Sequence, residues 1–247
     1  ARRVRALRAA VFAIAAAGLA LACSAPPEPV VVDLGVHRVS FIIPEGWQHY
    51  DHGREHRLET GEGDLVLTDL GPVAAAGYRT VVLEARDLTR RGQREEAAEL
   101  LNGLADGPVV ENDALRVELE NCLDAVWRGR PTAATQAAFD SLLDEIDRLP
   151  EPDLEVLATL ALEDLDHGPR RAIERRERLI LDGREAHRIL TWQRLTHNGR
   201  LRHVFVVNRG SLLVVRTTMG RDEVLGPAFD TVVRSLVFVE PETQSAR

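Results

Sequence analysis

The amino-acid sequence predicts an α+β protein in which helices pack on an antiparallel sheet and an all-helical insertion separates two groups of strands. The first observation is at the carboxyl end, where β-rich runs alternate with turn pairs that are typical of antiparallel hairpins. The second is a central stretch, residues 92–168, where apolar side chains recur at the three- and four-residue spacing of helices. Apolar residues make up 45% of the 247 residues, so the chain can bury a core.

Residues 1–22 predict a signal peptide. Four arginines within residues 2–8 precede a run of apolar and small residues, 9–22. This run is shorter than the roughly 20 residues that a membrane-spanning helix needs, and it has the length and flanks of the apolar region of a signal peptide.

The apolar run ends in Leu19-Ala20-Leu21-Ala22-Cys23, which resembles the lipobox of bacterial lipoproteins. Ala20 stands where a branched residue is commoner. The resemblance implies cleavage before Cys23, a lipid on its thiol, and anchoring in the cell envelope on the periplasmic side. Ser24, in place of aspartate, favours the outer membrane under the same resemblance. The alternative is an ordinary secretory signal in which Cys23 occurs by chance.

Residues 23–29 would then be the lipidated cysteine and a short, proline-rich tether. If Cys23 carries lipid, Cys122 has no disulfide partner, because the chain has two cysteines. Cys122 lies at helical spacing from Leu115 and Leu119 and has acidic neighbours in sequence, which predicts a buried structural thiol.

Residues 30–90 predict short strands and turns at the start of a domain that spans residues 30–240. The predicted strands are β-branched or aliphatic runs bounded by glycine and proline, at residues 30–32, 36–43, 65–67 and 78–85.

The helical insertion, residues 92–168, carries most of the acidic charge. Residues 95–166 contain 19 acidic residues and 4 arginines, a net charge of −15. Residues 27–94 and 167–247 contain 20 acidic residues and 23 arginines, a net charge of +3. One interpretation is that the acidic side chains cover the solvated faces of amphipathic helices. The other is an acidic docking surface for a basic partner or for loosely held divalent cations.

The strands return after the insertion and predict a four-strand meander. Its strands are residues 174–181, 185–196, 201–207 and 212–218, joined by Asp182-Gly183, Asn198-Gly199 and Asn208-Arg209-Gly210. A closing helix places Leu225, Phe229 and Val232 on one face, and a short strand, 237–239, follows it. Residues 241–247 are a tail.

Two stretches resemble the PsbP-like fold of the photosystem II extrinsic protein and of small bacterial envelope lipoproteins. They are Phe41-Ile42-Ile43-Pro44-Glu45-Gly46-Trp47, and Leu181-Asp182-Gly183-Arg184-Glu185-Ala186-His187-Arg188 with the helix that closes the chain. The resemblance covers residues 30–90 and 170–240, and the insertion departs from it. It implies an antiparallel sheet with packed helices, a non-catalytic accessory or interaction role, and core positions for Phe41 and Trp47.

Composition excludes several functions. All 31 basic residues are arginine, so a lysine Schiff base, a lysine general base and a P-loop lysine are excluded. A net charge of −8 argues against nucleic-acid binding. No motif indicates a cofactor.

The motif most suggestive of chemistry is His52-Gly53-Arg54-Glu55-His56, which matches the inverted zinc-protease pattern H-x-x-E-H. That chemistry needs both histidines on one helix face, and the residues from Asp51 to Glu59 lack helical periodicity. With His49, the loop offers three imidazoles that could bind Zn²⁺ or Cu²⁺. The alternative to a metal site is a polar, exposed loop.

A basic cluster follows the insertion and contains Arg170, Arg171, Arg175, Arg176 and Arg178. It predicts exposed strand residues that pair with the acidic insertion, or, alternatively, a contact with anionic lipid.

The leading hypothesis is therefore a lipid-anchored envelope protein that acts as a non-catalytic accessory or protein-interaction module, with the acidic insertion as a candidate partner surface. The alternative is a metal-binding protein or metal-dependent hydrolase that uses His49, His52, Glu55 and His56.

Overall fold

The structure of the protein is a computed structural model that describes residues 27–105, 112–128, 132–165, 171–193 and 199–240. The predicted signal peptide, Cys23, Ser24 and the tail 241–247 lie outside the described residues. None of the helices in the described ranges has the length and apolar character needed to cross a membrane.

Within the described residues, ten strands form two antiparallel sheets. They are β1 Val30–Leu34, β2 His37–Phe41, β3 Gln48–Asp51, β4 Glu55–Thr60, β5 Gly63–Pro72, β6 Arg171–Leu181, β7 Arg184–Gln193, β8 Gly199–Asn208, β9 Ser211–Gly220 and β10 Val237–Phe238. The small sheet has the order β1-β2-β10, and the large sheet has the order β3-β4-β5-β9-β8-β7-β6. The predicted α+β class with antiparallel sheets is confirmed.

Six helices accompany the sheets in the part of the chain that the structure describes. They are α1 Ala75–Arg90, α2 Arg94–Ala105, α3 Asp113–Trp127, α4 Ala133–Ile146, α5 Leu154–Leu165 and α6 Asp222–Ser235. Helices α1 to α4 share a hydrophobic core of their own and are called the helical lobe below. Helix α5 lies within the predicted insertion, yet it packs on the large sheet.

The predicted meander is confirmed as β6 to β9, four neighbouring strands paired in sequence order. Asp182 and Gly183 have φ values of 48° and 77°, and Arg209 and Gly210 have 51° and 75°. Positive φ at both central residues matches the right-handed twist of the flanking strands, so each turn closes a tight hairpin. The Asn198-Gly199 turn is described only from Gly199 onwards.

The predicted strand at residues 78–85 is wrong, because this segment lies inside helix α1. Tyr78, Val82, Ala85 and Thr89 are buried at spacings of four, three and four residues, which is one face of a helix. That face packs into the core of the helical lobe, so tertiary burial overrides the β propensity of the local sequence. The helical stretch consequently begins at Ala75, before residue 92.

The large sheet buries both faces. On one face, Leu213 and Val215 of β9 pack with the small sheet and with Phe229 of α6. On the other face, the alternate residues Leu212 and Val214 pack with α5. Helices α5 and α6 therefore cover opposite faces of one sheet.

The large sheet joins the helical lobe where α1 begins. The carbonyl oxygen of Gly210, in the β8–β9 turn, accepts hydrogen bonds from the amides of Val73 (2.8 Å) and Ala74 (3.0 Å). A Cβ atom at Gly77 would lie 2.3 Å from the same carbonyl oxygen. The close approach of these two backbone segments therefore requires glycine at position 77.

We expect Gly77→Ala to lower the free energy of unfolding by about 2–3 kcal/mol, because the added methyl group would push the backbone of α1 away from the Gly210 carbonyl. The matched control is Gly103→Ala in helix α2, where a Cβ atom meets nothing within 4 Å. The control should stabilise the protein by about 0.5–1 kcal/mol through helix propensity. Urea unfolding followed by circular dichroism measures both changes, and equal effects of the two substitutions would contradict the proposed close approach.

Candidate functional site

The structure places the predicted histidine motif on a β-hairpin. His49 lies on β3, His52 lies in the turn, and Glu55 and His56 lie on β4. The amide of His52 donates to the Glu55 carbonyl oxygen over 2.9 Å, and the guanidinium of Arg57 donates to the Glu55 carboxylate over 3.0 Å. The motif therefore lacks the single helix face that the inverted zinc-protease pattern requires.

Of the three histidines of the predicted loop, His49 and His56 are brought together. The Nε2 atom of His49 lies 2.8 Å from Nδ1 of His56, and the two rings stack with centroids 5.1 Å apart. The Nε2 atom of His56 lies 3.0 Å from the carbonyl oxygen of Asp33, and His56 is only 2% exposed. Both nitrogens of His56 thus have protein partners. Within the described ranges, no group of three or more histidine, cysteine, aspartate and glutamate side chains is arranged to hold a metal ion.

Two side chains of the hairpin, His49 and Asp51, have lowered pKa values. Burial, followed by the charge of His56, lowers the pKa of His49 from its ordinary value of 6.5, while Asp51 opposes this shift. The backbone amide of Gly53 donates to the Asp51 carboxylate and holds the pKa of Asp51 below its ordinary value. The fold therefore favours the neutral form of His49.

A second polar cluster is buried where the two sheets meet. No sequence motif indicates it. The Oδ1 atom of Asp69 accepts from the hydroxyl of Ser211 (2.7 Å) and from the amide of Gly71 (2.9 Å), and Oδ2 accepts from the amide of Val36 (3.2 Å). The Nε2 atom of His37 lies 3.5 Å from Asp69 Oδ1. All three side chains are buried, and the serine hydroxyl bonds to the carboxylate and not to the imidazole. The arrangement therefore links segments of the fold and does not activate a nucleophile.

The hydrogen bonds of this cluster keep Asp69 charged. Burial acts to raise the pKa of Asp69, but the neighbouring His37 imidazole and the hydrogen bonds from the Ser211 hydroxyl and the Gly71 amide together hold it below its ordinary value of 3.8. Residues 37, 69 and 211 are far apart in sequence and meet only in the folded protein. No local sequence pattern therefore predicts this cluster.

The predicted buried thiol is confirmed. Cys122 lies in helix α3 and has no exposed surface. Burial, together with the charge of Glu118, raises the pKa of Cys122 to about 12. The thiol is therefore not a nucleophile at neutral pH.

The basic cluster pairs in part with the acidic segment, as one of the two interpretations predicts. Arg176 and Arg178 of β6 lie 3.7 Å and 3.2 Å from the carboxylate of Glu155 on α5. Arg175 instead pairs with Glu177 of its own strand.

A groove with an acidic rim lies between α5 and the helical lobe, and is called the acidic groove below. It has a volume of about 590 Å³ and is lined by Val73, Asn112, Asp113, Ala114, Leu149, Pro150, Glu151, Pro152, Asp153, Val156, Leu157 and Leu160. Val156 is 54% exposed and Leu160 is 41% exposed. The groove therefore presents aliphatic side chains beside the three carboxylates at positions 113, 151 and 153.

Helix ends build the rim of the acidic groove. Asn112 caps α3 by accepting from the amides of Ala114 (3.0 Å) and Leu115 (3.2 Å). Asp153 precedes α5 and accepts from the amide of Glu155 (2.8 Å). These caps hold the ends of the two helices in place beside the proline-rich connection at residues 149–153.

Comparisons with known proteins leave the family open. No family model matches the chain, and no curated protein matches it in sequence. In structure, the chain is similar to cyanobacterial PsbP (CyanoP) from Synechocystis sp. PCC 6803, with a TM-score of 0.42 and 12% identity over 88% of this chain and 96% of that chain. It is also similar to PA94, a protein of unknown function from Pseudomonas aeruginosa, with a TM-score of 0.35 and 13% identity over 87% of this chain and 99% of that chain. The resemblance to the PsbP-like family stays a prediction.

The lowered pKa of His49 sets a pH dependence of stability. Because the unfolded chain binds a proton at this residue more readily than the folded chain does, the free energy of unfolding should rise with pH up to about 6.5 and then level off. We expect His49→Gln to reduce this slope between about pH 5 and 6.5. His52→Gln, in the exposed turn, is the control and should keep it. Urea unfolding across this pH range measures the slope, and identical slopes in wild type and His49→Gln would contradict the shift.

Asp69→Asn should lower the free energy of unfolding by about 1–3 kcal/mol, because an amide nitrogen in place of Oδ2 would face the Val36 amide donor. The control is Asp33→Asn, since the Asp33 side chain is 79% exposed and forms a surface pair with Arg38. The lowered pKa of Asp69 means that wild type also loses stability as pH falls below 3.8, and Asp69→Asn should lack that part of the loss. Acid unfolding curves test this, and superimposable curves for wild type and Asp69→Asn would rule it out.

Proposed function

We propose that the protein is a lipid-anchored accessory protein of the cell envelope that binds a partner protein through the acidic groove. The observation that carries this proposal is the acidic groove itself, in which exposed aliphatic side chains lie beside carboxylates. Lipid anchoring is supported by the sequence around Cys23 and by the short proline-rich segment that leads into the described body at residue 27.

The aliphatic lining supports a protein partner. Val156 and Leu160 lie four residues apart on α5, so they form one exposed apolar stripe beside the buried Leu157. Exposed apolar stripes in a concave surface are typical of sites that receive an apolar side of another protein. An amphipathic helix laid into the groove would cover this stripe.

The charge supports a basic partner. Asp113, Glu151 and Asp153 line the same groove as the apolar stripe, and the segment 95–166 that contains them has a net charge of −15. Negative charge around a groove accelerates association with a positively charged partner and disfavours an acidic one. The partner is therefore an envelope protein with a segment that is apolar on one side and basic on its flanks.

The anchor is tested by metabolic labelling with radioactive palmitate in bacteria that express the full chain. Label should enter the wild-type protein and be absent from Cys23→Ala, because the lipid is attached to that thiol. Cys122→Ala is the control and should label like wild type, since Cys122 is buried in the folded protein. Equal labelling of wild type and Cys23→Ala would contradict anchoring at this residue.

The groove is tested with a fluorescent amphipathic peptide of leucine and lysine, whose binding is followed by anisotropy. We expect Val156→Arg to weaken binding at least tenfold, because it places a cation among the carboxylates and interrupts the apolar stripe. Ile180→Arg is the control: Ile180 is 70% exposed on β6, outside the groove, and its replacement should leave binding unchanged.

A leucine–glutamate peptide of the same pattern distinguishes charge-dependent binding from nonspecific hydrophobic binding. It should bind at least tenfold more weakly than the leucine–lysine peptide. Added salt should weaken the binding of the leucine–lysine peptide, because salt screens charge attraction. Equal binding of the two peptides would refute the acidic groove as the partner site. An equal loss of peptide binding in Val156→Arg and Ile180→Arg would refute it as well.

A further inference from the structure

A second groove, separate from the acidic groove, lies beside the point where the described chain begins. It is called the entry groove, has a volume of about 610 Å³, and is lined by Pro27, Ile42, Ile43, Pro44, Glu45, Trp47, Val224, Pro227, Ala228 and Thr231. Eight of these ten side chains are those of proline, alanine, valine, isoleucine or tryptophan. The entry groove shares no residue with the acidic groove.

The loop that carries Trp47 is held in place by specific contacts. The amide of Trp47 donates to the Pro44 carbonyl oxygen over 3.2 Å, which closes a turn in which Gly46 has a φ of 81°. The amide of Ile42 donates to the hydroxyl of Ser235 over 2.9 Å and ties the loop to α6. Trp47 and Ile43 are only partly buried against the core of the sheets. The loop therefore presents apolar surface on a fixed support.

Helix α6 has apolar residues on two sides. Phe229 and Val232 belong to the core between the sheets, whereas Val224 and Pro227, three residues apart, line the entry groove beside the core residue Ala228. Pro227 is exposed. The core therefore accounts for only one of the two apolar sides.

We propose that the entry groove and Trp47 contact the interfacial region of a phospholipid bilayer. This inference rests on the proposed lipid anchor at Cys23. Cys23 lies four residues before Pro27, and four residues span at most about 14 Å when fully extended. The lipid would therefore keep Pro27, which lines the entry groove, within about that distance of the bilayer.

The chemistry of the lining suits the bilayer interface. The indole of tryptophan and the aliphatic side chains of Ile43 and Pro227 partition favourably into the region of the lipid headgroups, where amphipathic protein surfaces insert. The acidic side chain of Glu45 lies at the groove, so the contact does not depend on anionic lipid. A zwitterionic phosphatidylcholine surface is therefore the fitting partner.

The same orientation places the acidic groove on the other side of the molecule. Helix α6, which lines the entry groove, and helix α5, which lines the acidic groove, cover opposite faces of the large sheet. With the entry groove on the bilayer, helix α5 and its part of the acidic groove would lie on the face of the large sheet opposite to α6.

The test uses the chain beginning at Cys23, coupled by this thiol to a maleimide lipid in phosphatidylcholine vesicles with brominated acyl chains. The coupling is selective because Cys122 is buried and its pKa is raised to about 12. Two single-tryptophan proteins are compared: Trp127→Phe/Trp192→Phe keeps Trp47, and Trp47→Phe/Trp192→Phe keeps Trp127, which is 56% exposed in the helical lobe.

We expect bromine to quench at least half of the Trp47 emission and less than a tenth of the Trp127 emission. Pro227→Glu, in the protein that keeps Trp47, should at least halve the quenching, because it places a charge in the entry groove while glutamate maintains the helix. Quenching of Trp47 no greater than that of Trp127 would overturn the inference. So would a blue shift of Trp47 that grows with protein concentration in the absence of lipid, because a second copy of the chain would then occupy the groove.

The chemical coupling does not depend on lipidation in cells. Failure of palmitate labelling would therefore count against the proposed anchor, whereas failure of Trp47 quenching in the coupled protein would count against the bilayer contact.

Discussion

The buried carboxylate of Asp69 is the interaction on which the arrangement of the sheets depends. It receives the amide of Val36 from the β1–β2 turn, the amide of Gly71 from its own strand, and the hydroxyl of Ser211 from β9. Three segments that are distant in sequence therefore meet at one charged group. A buried charge is tolerated only when it is well hydrogen-bonded, so these segments are held in one arrangement.

The same junction also fixes the starting point of the helical lobe. Ser211 follows Gly210 directly, and the carbonyl oxygen of Gly210 accepts the amides that lead into α1. The lobe therefore begins from a hydrogen-bonded turn of the large sheet, although its core is separate from the cores of the sheets. A charged lobe on a firm support can present a binding surface without being part of the main core, and this division agrees with the proposed accessory role.

The sequence predicts the parts of the fold that depend on local chemistry. Asp182-Gly183 identifies its hairpin because positive φ values at both positions are a local requirement. The helix face of α1 escapes prediction because its β-branched residues Thr80, Val81 and Val82 favour a strand until the lobe core buries one side of them. Spacing alone points to a metal-binding loop at His49 and His56, whereas the hairpin register turns the two rings towards each other.

The cluster around Asp69 could not be predicted, because its members come together only through long-range strand pairing. The acidic segment was visible as a charge imbalance, but the groove within it depends on how α5 leaves the lobe to pack on the sheet. Sequence therefore indicates the chemistry of that surface, and the three-dimensional packing determines its shape.

The two outer strands of the large sheet differ in a way that affects the behaviour of many copies together. β3 has only four residues, which leaves little backbone for another chain to pair with. β6 is much longer, with 11 residues, and carries Arg175, Arg176 and Arg178 beside the exposed Ile180. β6 contains four arginines and two glutamates, a net charge of +2, so repulsion opposes the edge-to-edge pairing of two such strands. Under the proposed lipid anchor, crowding of many copies on a membrane would raise their local concentration, and the charge of this edge strand would then matter most.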